Sequence, residues 1–200
     1  MEVEFAGLKL LAAPGVVMVP RPATERLVAA AADRIGGEAV RVADAGTGAG
    51  AIAVALAVRA PSAHVCATDV SEDAVELTRE NARRHGVADR VTAVVGDLLE
   101  PIEGPLDLVV ANLPYLPDSL AGTPEYAEYD AEPRDAIFAP GSGLAPYLRL
   151  LDQAEERLRD AGGLLIQYHR RVLEASRERI PALRARLYAE SRIDASTPGS

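Results

Sequence analysis

VRVADAGTGAGAIAVALA, residues 40–57, decides the fold. It opens as a short apolar run that closes on Asp44. It ends as an alanine-rich apolar series with no Gly or Pro, which suits a helix. Between the two stand Gly46, Gly48 and Gly50. Alternate glycines permit a tight turn and let a ligand come close to the backbone. An ordinary βα turn rarely needs three of them. The stretch therefore reads as strand, binding loop and helix, with Ala39–Ala45 as the strand and Ala49–Arg59 as the helix. Asp44, placed just before the loop, can pair with a cationic ammonium. Gly46, Gly48 and Ala51 also satisfy the dinucleotide pattern G-x-G-x-x-G/A, so this loop alone leaves a nicotinamide dehydrogenase open.

Outward from the loop the same alternation repeats. His64–Thr68 reads as a second strand and Glu72–His85 as an amphipathic helix stopped by Gly86. Val91–Val95 and Leu106–Ala111 read as further strands. A loop of about 30 residues follows, long enough to suggest a functional role. A helix over Leu144–Arg159 then stops near Gly162-Gly163. Leu164–Gln167 is a fifth strand, and Val172–Tyr188 is helical with Pro181 interrupting it. Upstream, residues 1–19 suit a short strand or hairpin. Pro20-Arg21-Pro22 opens a helix over Ala23–Ile35, ended by Gly36-Gly37. Short apolar strands alternating with helices imply βαβ units, right-handed crossovers and a Rossmann-like, doubly wound, mostly parallel α/β sheet. Ligands bind such sheets at the carboxyl ends of the strands. The expected division is residues 1–38 as an N-terminal segment and helix on the core, 39–194 as the main domain, and 195–200 as a tail.

The composition narrows the function. The formal net charge is −9, from 30 acidic and 21 basic side chains. Nucleic-acid binders neutralise phosphates with a basic surface, so a protein or small-molecule partner is favoured. Arg83, Arg84 and Arg90, or Arg170, Arg171, Arg177 and Arg179, would be the local exceptions. The single cysteine, Cys66, sits in a strand as core packing and fits a reducing cytoplasm. The N-terminus is acidic, unlike a signal peptide. No apolar stretch reaches the roughly 18 residues of a membrane span. His64 and His85 read as structural, and so does His169, although its place just after the fifth strand leaves open that it faces the site. No His/Cys/Asp cluster has metal-ligand spacing.

Three more motifs lie at strand ends. Asp69 follows Gly48 by 21 residues, where an acid holds ribose hydroxyls in nucleotide-binding sheets. Standing before an apolar periodic run, it also suits a helix N-cap. Gly96-Asp97-Leu98 ends the third strand; its carboxylate can accept from an adenine amino group, with Leu98 against the ring. Asn112-Leu113-Pro114-Tyr115 follows the fourth strand directly. An Asn side-chain oxygen and a main-chain carbonyl can hold a planar N–H2 and aim its lone pair, while Tyr115 stacks on the planar group.

Together these stretches resemble the HemK-type protein glutamine-N5 methyltransferases, the release-factor-methylating enzymes. VMVPRPATERLV (residues 17–28), Glu132-Pro133-Arg134, Gly141-Ser142-Gly143-Leu144 and Tyr147 extend the similarity, which covers roughly residues 15 to 167. The resemblance implies a class I methyltransferase fold and S-adenosylmethionine as cofactor. It implies cofactor contacts at Gly46, Thr47, Gly48, Asp69, Asp97, Leu98 and Asn112, to which the loop reading adds Asp44 and Gly50. It implies substrate contacts at Asn112, Leu113, Pro114 and Tyr115, with Asn112, Pro114 and Tyr115 as the catalytic set. The implied acceptor is an exposed glutamine of a protein, a release factor in the family's case. NLPY replaces the usual NPPY, so Leu113 keeps its carbonyl but loses a proline's stiffness. Residues 1–38 offer no counterpart of the family's N-terminal helical domain. The closing antiparallel hairpin is reduced, with Ala185–Ile193 the one candidate strand. The fifth strand should then be covered by a homodimer partner or by the helix of residues 172–188. The alternatives are methylation of an adenine amino group in RNA or DNA, since NLPY also occurs in rRNA adenine dimethyltransferases, and a degenerate protein that holds cofactor without turnover.

Overall fold

A computed structural model describes residues 1–167. The chain opens with the hairpin β1 (Glu2–Phe5) and β2 (Leu8–Leu11), paired antiparallel. Phe5 and Leu10 point inward and are buried in the main core. Pro22–Thr24 forms a 3-10 turn, so helix α1 spans Glu25–Arg34 and starts later than the proline pattern alone predicts.

The alternating unit follows as β3 (Val40–Ala45), α2 (Ala51–Arg59), β4 (Ala63–Asp69), α3 (Glu72–Arg84), β5 (Val91–Val95) and β6 (Leu106–Ala111). Residues 51–57 of α2 are all buried, because α1 and the sheet cover the helix from different sides. Ser71 caps α3: its hydroxyl accepts the Ala74 N–H at 3.3 Å. Glu72 and Asp73 in the first turn, and Arg83 and Arg84 in the last, complement the helix dipole.

The remaining elements are β7 (Leu116–Pro117), α4 (Arg134–Ile137), β8 (Phe138–Ala139), α5 (Ala145–Arg157) and β9 (Leu158–Ile166). The main sheet is all parallel in the order β5-β4-β3-β6-β9. After β3 the chain builds outward through β4 and β5, then returns to the other side of β3 as β6. That reversal is the switch point where doubly wound sheets open a crevice above their carboxyl ends. The expected Rossmann-like fold is thus the observed one.

Two local expectations differ. Helix α5 ends at Arg157 rather than Arg159, and β9 begins at once. Its register against β6 then jumps, from Leu106 opposite Leu158 to Leu108 opposite Gly163. Gly162 makes the bulge possible: a Cβ there would lie 2.9 Å from the Arg159 carbonyl oxygen. Arg159-Asp160-Ala161 has no strand alternation, so only the buried half of β9 was legible. Second, the long loop is ordered. Leu116 pairs with Phe138 and Pro117 with Ala139 as a short parallel ribbon. Leu116, Ile137 and Phe138 bury together beneath Tyr115, Tyr126 and Tyr129.

Gly143 closes this ribbon onto the sheet. It has φ +81°, and a Cβ would sit 2.2 Å from the Tyr115 carbonyl oxygen, an approach that backbone cannot relieve cheaply. Gly143→Ala should cost about 2 kcal/mol from the strained φ and the overpacking together. Urea unfolding checks this; an unchanged midpoint would mean that the loop does not need this contact.

Among the described residues no helix is long and apolar enough to cross a membrane. The helix expected over 172–188, the candidate strand 185–193, the tail 195–200, His169 and the arginines at 170, 171, 177 and 179 lie outside the described residues.

Candidate functional site

A cavity of about 560 Å³ opens above the carboxyl ends of β3, β4, β5 and β6. Its floor is the glycine loop. Gly46, Gly48 and Gly50 take φ +72°, +56° and +76°, values that disfavour any side chain. The Gly46 and Thr47 N–H groups both donate to the Thr68 carbonyl at 2.9 Å, which fastens the loop to the neighbouring strand. A Cβ on Gly46 would lie 2.6 Å from Leu113 Cδ2, so this glycine is what lets the loop after β6 lie against the loop after β3.

Asp44 lies fully buried beneath the loop. Its Oδ2 accepts the Thr47 hydroxyl at 2.7 Å and the Ala53 N–H at 3.1 Å; its Oδ1 has no partner among the described residues. Burial pushes the carboxyl up from its ordinary value to about 7 against the lowering effect of those bonds, with the charge of Asp69 adding to the rise. The folded protein therefore keeps this proton where the unfolded chain has released it. Asp44 weakens the fold progressively as pH climbs from about 4 to about 7, and no further above that. Asp44→Asn should remove this slope. The difference in Tm between variant and parent should widen across that window and then level off. A difference independent of pH would show that the carboxylate stays ionised throughout.

Asp69 closes β4 at the cavity wall. Its Oδ2 accepts the Gly48 N–H at 2.9 Å and its Oδ1 the Ser71 N–H at 3.0 Å. Ser71, not Asp69, is the cap of α3, which answers the cap reading of this residue. At the end of β5, Leu98 lines the cavity with the left-handed φ of +53°, and the Thr68 hydroxyl holds its carbonyl at 2.6 Å. Asp97 lines the cavity too and is ion-paired with Arg149 of α5.

Asn112, Leu113 and Pro114 form the far wall. Asn112 Nδ2 donates to the Thr24 hydroxyl at 3.2 Å. Thr24 is buried in the turn that opens α1. Leu113 is buried, and its carbonyl accepts the Tyr147 hydroxyl at 2.8 Å. Tyr115 does not line the cavity; its ring joins the cluster around Leu116 and Phe138, where burial raises its hydroxyl's pKa. Glu132 ties two distant segments together. It accepts the Val19 N–H at 3.1 Å and the Arg21 guanidinium at 2.7 Å, and Arg21 lies 5.6 Å over the Tyr129 ring.

The structure thus gathers Gly46, Thr47, Gly48, Asp69, Asp97, Leu98, Asn112, Leu113 and Pro114 around one cavity. Asp44, Gly50 and Tyr115 are left behind its walls. The residue patterns did not single out Thr24 or Arg149. Thr24 carried a weak signal, a hydroxyl in a proline-opened turn; Arg149 carried none.

A family model described as the methyltransferase small domain matches residues 10–123. The chain is 43% identical over 167 residues to the release factor glutamine methyltransferase of Moorella thermoacetica, covering 82% of this chain and 58% of that protein. It is 38% identical over 164 residues to that of Chlorobaculum tepidum, covering 76% and 55%. The chain thus spans little more than half the length of these relatives. Among solved structures, the hMettl16 catalytic domain in complex with an RNA hairpin of the MAT2A 3'UTR aligns with TM-score 0.66 at 21% identity, over 90% of this chain and 67% of that one. The ribosomal protein L11 methylase of Lactobacillus delbrueckii subsp. bulgaricus aligns with TM-score 0.60 at 24% identity, over 86% and 72%. At these identities the structural likeness speaks for the shared fold alone.

Proposed function

The chain belongs to the methyltransferase small domain family, and we propose that it transfers a methyl group from S-adenosylmethionine to the side-chain amide nitrogen of a glutamine in a protein. The observation that carries this reading is the wall of Asn112 and Leu113 facing the glycine loop across one cavity.

The residues present suit the cofactor. Gly46 and Gly48 keep the floor free of side chains, while Asp69 offers a carboxylate at the wall and Asp44 a buried one with an unpartnered oxygen beneath it. We assign Gly46, Thr47, Gly48, Asp69, Asp97 and Leu98 to holding it, with Asp44 and Gly50 supporting the loop from behind. When bound, the sulfonium supplies a methyl carbon already activated for displacement.

The chain's own work is alignment. An amide nitrogen is a poor nucleophile while its lone pair is delocalised. Asn112 Nδ2 is committed to Thr24, which leaves Oδ1 as that side chain's acceptor for one amide N–H. The Leu113 carbonyl keeps a second lone pair for the other. Two fixed acceptors hold the N–H2 plane and set the direction of attack. The product nitrogen can shed its proton afterwards, so no strong base is required. Pro114, placed beside these acceptors, narrows the wall; Tyr115 backs the loop from the ribbon side.

The acceptor-side walls favour glutamine over a flipped adenine. Pro133, Phe138, Ala139, Pro140 and Pro146 give this side of the cavity an apolar wall rather than the basic one that a nucleic acid's phosphates require. The acidic charge balance points the same way. A release factor is the acceptor class suggested by the relatives' names. The single cysteine suits a cytoplasmic setting. The test is transfer of radiolabel from S-adenosylmethionine into a cell lysate, followed by digestion. Label released by protease and recovered as N5-methylglutamine supports the reading; label released by nuclease sinks it.

A further inference from the structure

Behind the Asn112–Tyr115 loop lies a buried hydroxyl that the proposed reaction has not used. Tyr147 of α5 is 1% exposed. Its oxygen lies 2.8 Å from the Leu113 carbonyl oxygen and 2.6 Å from the Gln167 carbonyl oxygen. Carbonyls only accept, so the single hydroxyl proton is shared between them. The Gln167 N–H in turn donates to the Ala111 carbonyl at 2.9 Å, next to the loop's first residue. Tyr147 therefore clips Leu113 to the end of β9, which is itself fastened to the end of β6.

Leu113 needs such a clip. Pro114 already confines the ψ of Leu113 to the extended region, but φ, which a proline in its place would fix near −65°, stays free, and rotation about that bond would swing the carbonyl. The Leu113 side chain is held from the opposite side by close contact with the glycine loop at Gly46. Side chain and carbonyl are thus pinned by different elements.

We propose that Tyr147 is a positioning residue for methyl transfer: its hydroxyl fixes the direction of the Leu113 carbonyl that receives an N–H of the acceptor amide. This rests on the glutamine reading above. Burial holds the hydroxyl's pKa well above its ordinary value, so the donor keeps its proton and the clip persists across the working pH range.

Tyr147→Phe removes one oxygen and keeps the ring. In the full chain, charged with S-adenosylmethionine and a glutamine-containing protein acceptor, kcat should fall about tenfold while the cofactor's Kd holds. Leu113→Pro supplies the missing stiffness, so in that background the same substitution should cost about twofold or less. The carbonyl carbon of 13C-labelled Leu113 should move upfield in Tyr147→Phe without any substrate, because it has lost a hydrogen bond. Equal losses in both backgrounds, or a Leu113 carbonyl resonance that does not move, would overturn the proposal and leave Tyr147 as core packing. If Tyr147→Phe proves too unstable to assay, the parent alone decides the contact: a 13C-labelled Leu113 carbonyl that resonates upfield, where a carbonyl without a hydrogen bond does, overturns it. A resonance that moves in a protein whose parent never methylates glutamine refutes the glutamine reading while leaving the Tyr147–Leu113 contact standing.

Discussion

Asn112→Ala should give a folded protein that binds S-adenosylmethionine nearly as well as the parent yet turns over about a thousandfold more slowly. Asn112 stands at the end of β6 with its Nδ2 on the buried Thr24 hydroxyl. That bond joins residues 88 apart in sequence and fixes the plane of the amide before any acceptor arrives. The side chain therefore spends no conformational freedom when an acceptor binds. Truncation removes the acceptor atom and leaves the Thr24 hydroxyl facing a void. The neighbouring wall at Leu113 is held independently by Tyr147 and Gly46, so the loop itself should survive. Single-turnover methylation of a glutamine-containing protein, run beside calorimetric titration of the cofactor, separates the two effects. If Asn112→Ala turns over like the parent, the loop is a structural turn and the glutamine assignment falls with it. If turnover and cofactor affinity fall together, Asn112 serves chiefly to bind the cofactor.

The two halves of this site were legible to different degrees, for physical reasons. The glycine loop is a local code: Gly46, Gly48 and Gly50 are demanded by backbone conformations that a single stretch of sequence announces. Asp69 and Asn112 were legible because each sits at a strand end whose position follows from the strand–helix alternation. Thr24 could not be tied to Asn112, because nothing local records a hydrogen bond between the first helix and the fourth strand of the central sheet. The segment between Pro117 and Gly143 was less legible still. Its order comes from non-local pairing of Leu116 with Phe138, from Glu132 grasping Val19 and Arg21, and from Gly143 beneath the Tyr115 carbonyl. None of these contacts leaves a period of two or 3.6 in the sequence. The placement of Tyr115 follows from the same cause. A motif reading puts its ring on the acceptor, whereas the ribbon draws the ring into the cluster with Leu116 and Phe138, behind the cavity wall.

Asp69→Ala should weaken cofactor binding at least hundredfold, and the structure gives two separate reasons. As the wall residue at the end of β4, the carboxylate has lone pairs for ribose hydroxyls beyond those it already uses, and each charge-assisted bond is worth roughly 1.5–3 kcal/mol. It also organises the floor, since its Oδ2 holds the Gly48 N–H at 2.9 Å. Loss of the side chain releases that N–H and frees a glycine loop whose left-handed conformations are already costly in entropy. The fold should suffer far less than the affinity. Helix α3 keeps its own cap at Ser71, and only the bond from Asp69 Oδ1 to the Ser71 N–H is lost there. Asp69→Asn separates the two contributions. An amide oxygen can still accept from Gly48 and hold the floor, but it cannot offer a charged pair of acceptors to a ribose. The ordering expected from calorimetry is therefore parent, then Asp69→Asn, then Asp69→Ala, with the two variants differing by the value of the Gly48 bond, about tenfold. NAD in the same cell should give no isotherm. A variant that melts lower but binds S-adenosylmethionine like the parent would reduce Asp69 to a loop clamp, and the cofactor would then have to be held by the glycine loop and the Asp97 and Leu98 end of the cavity.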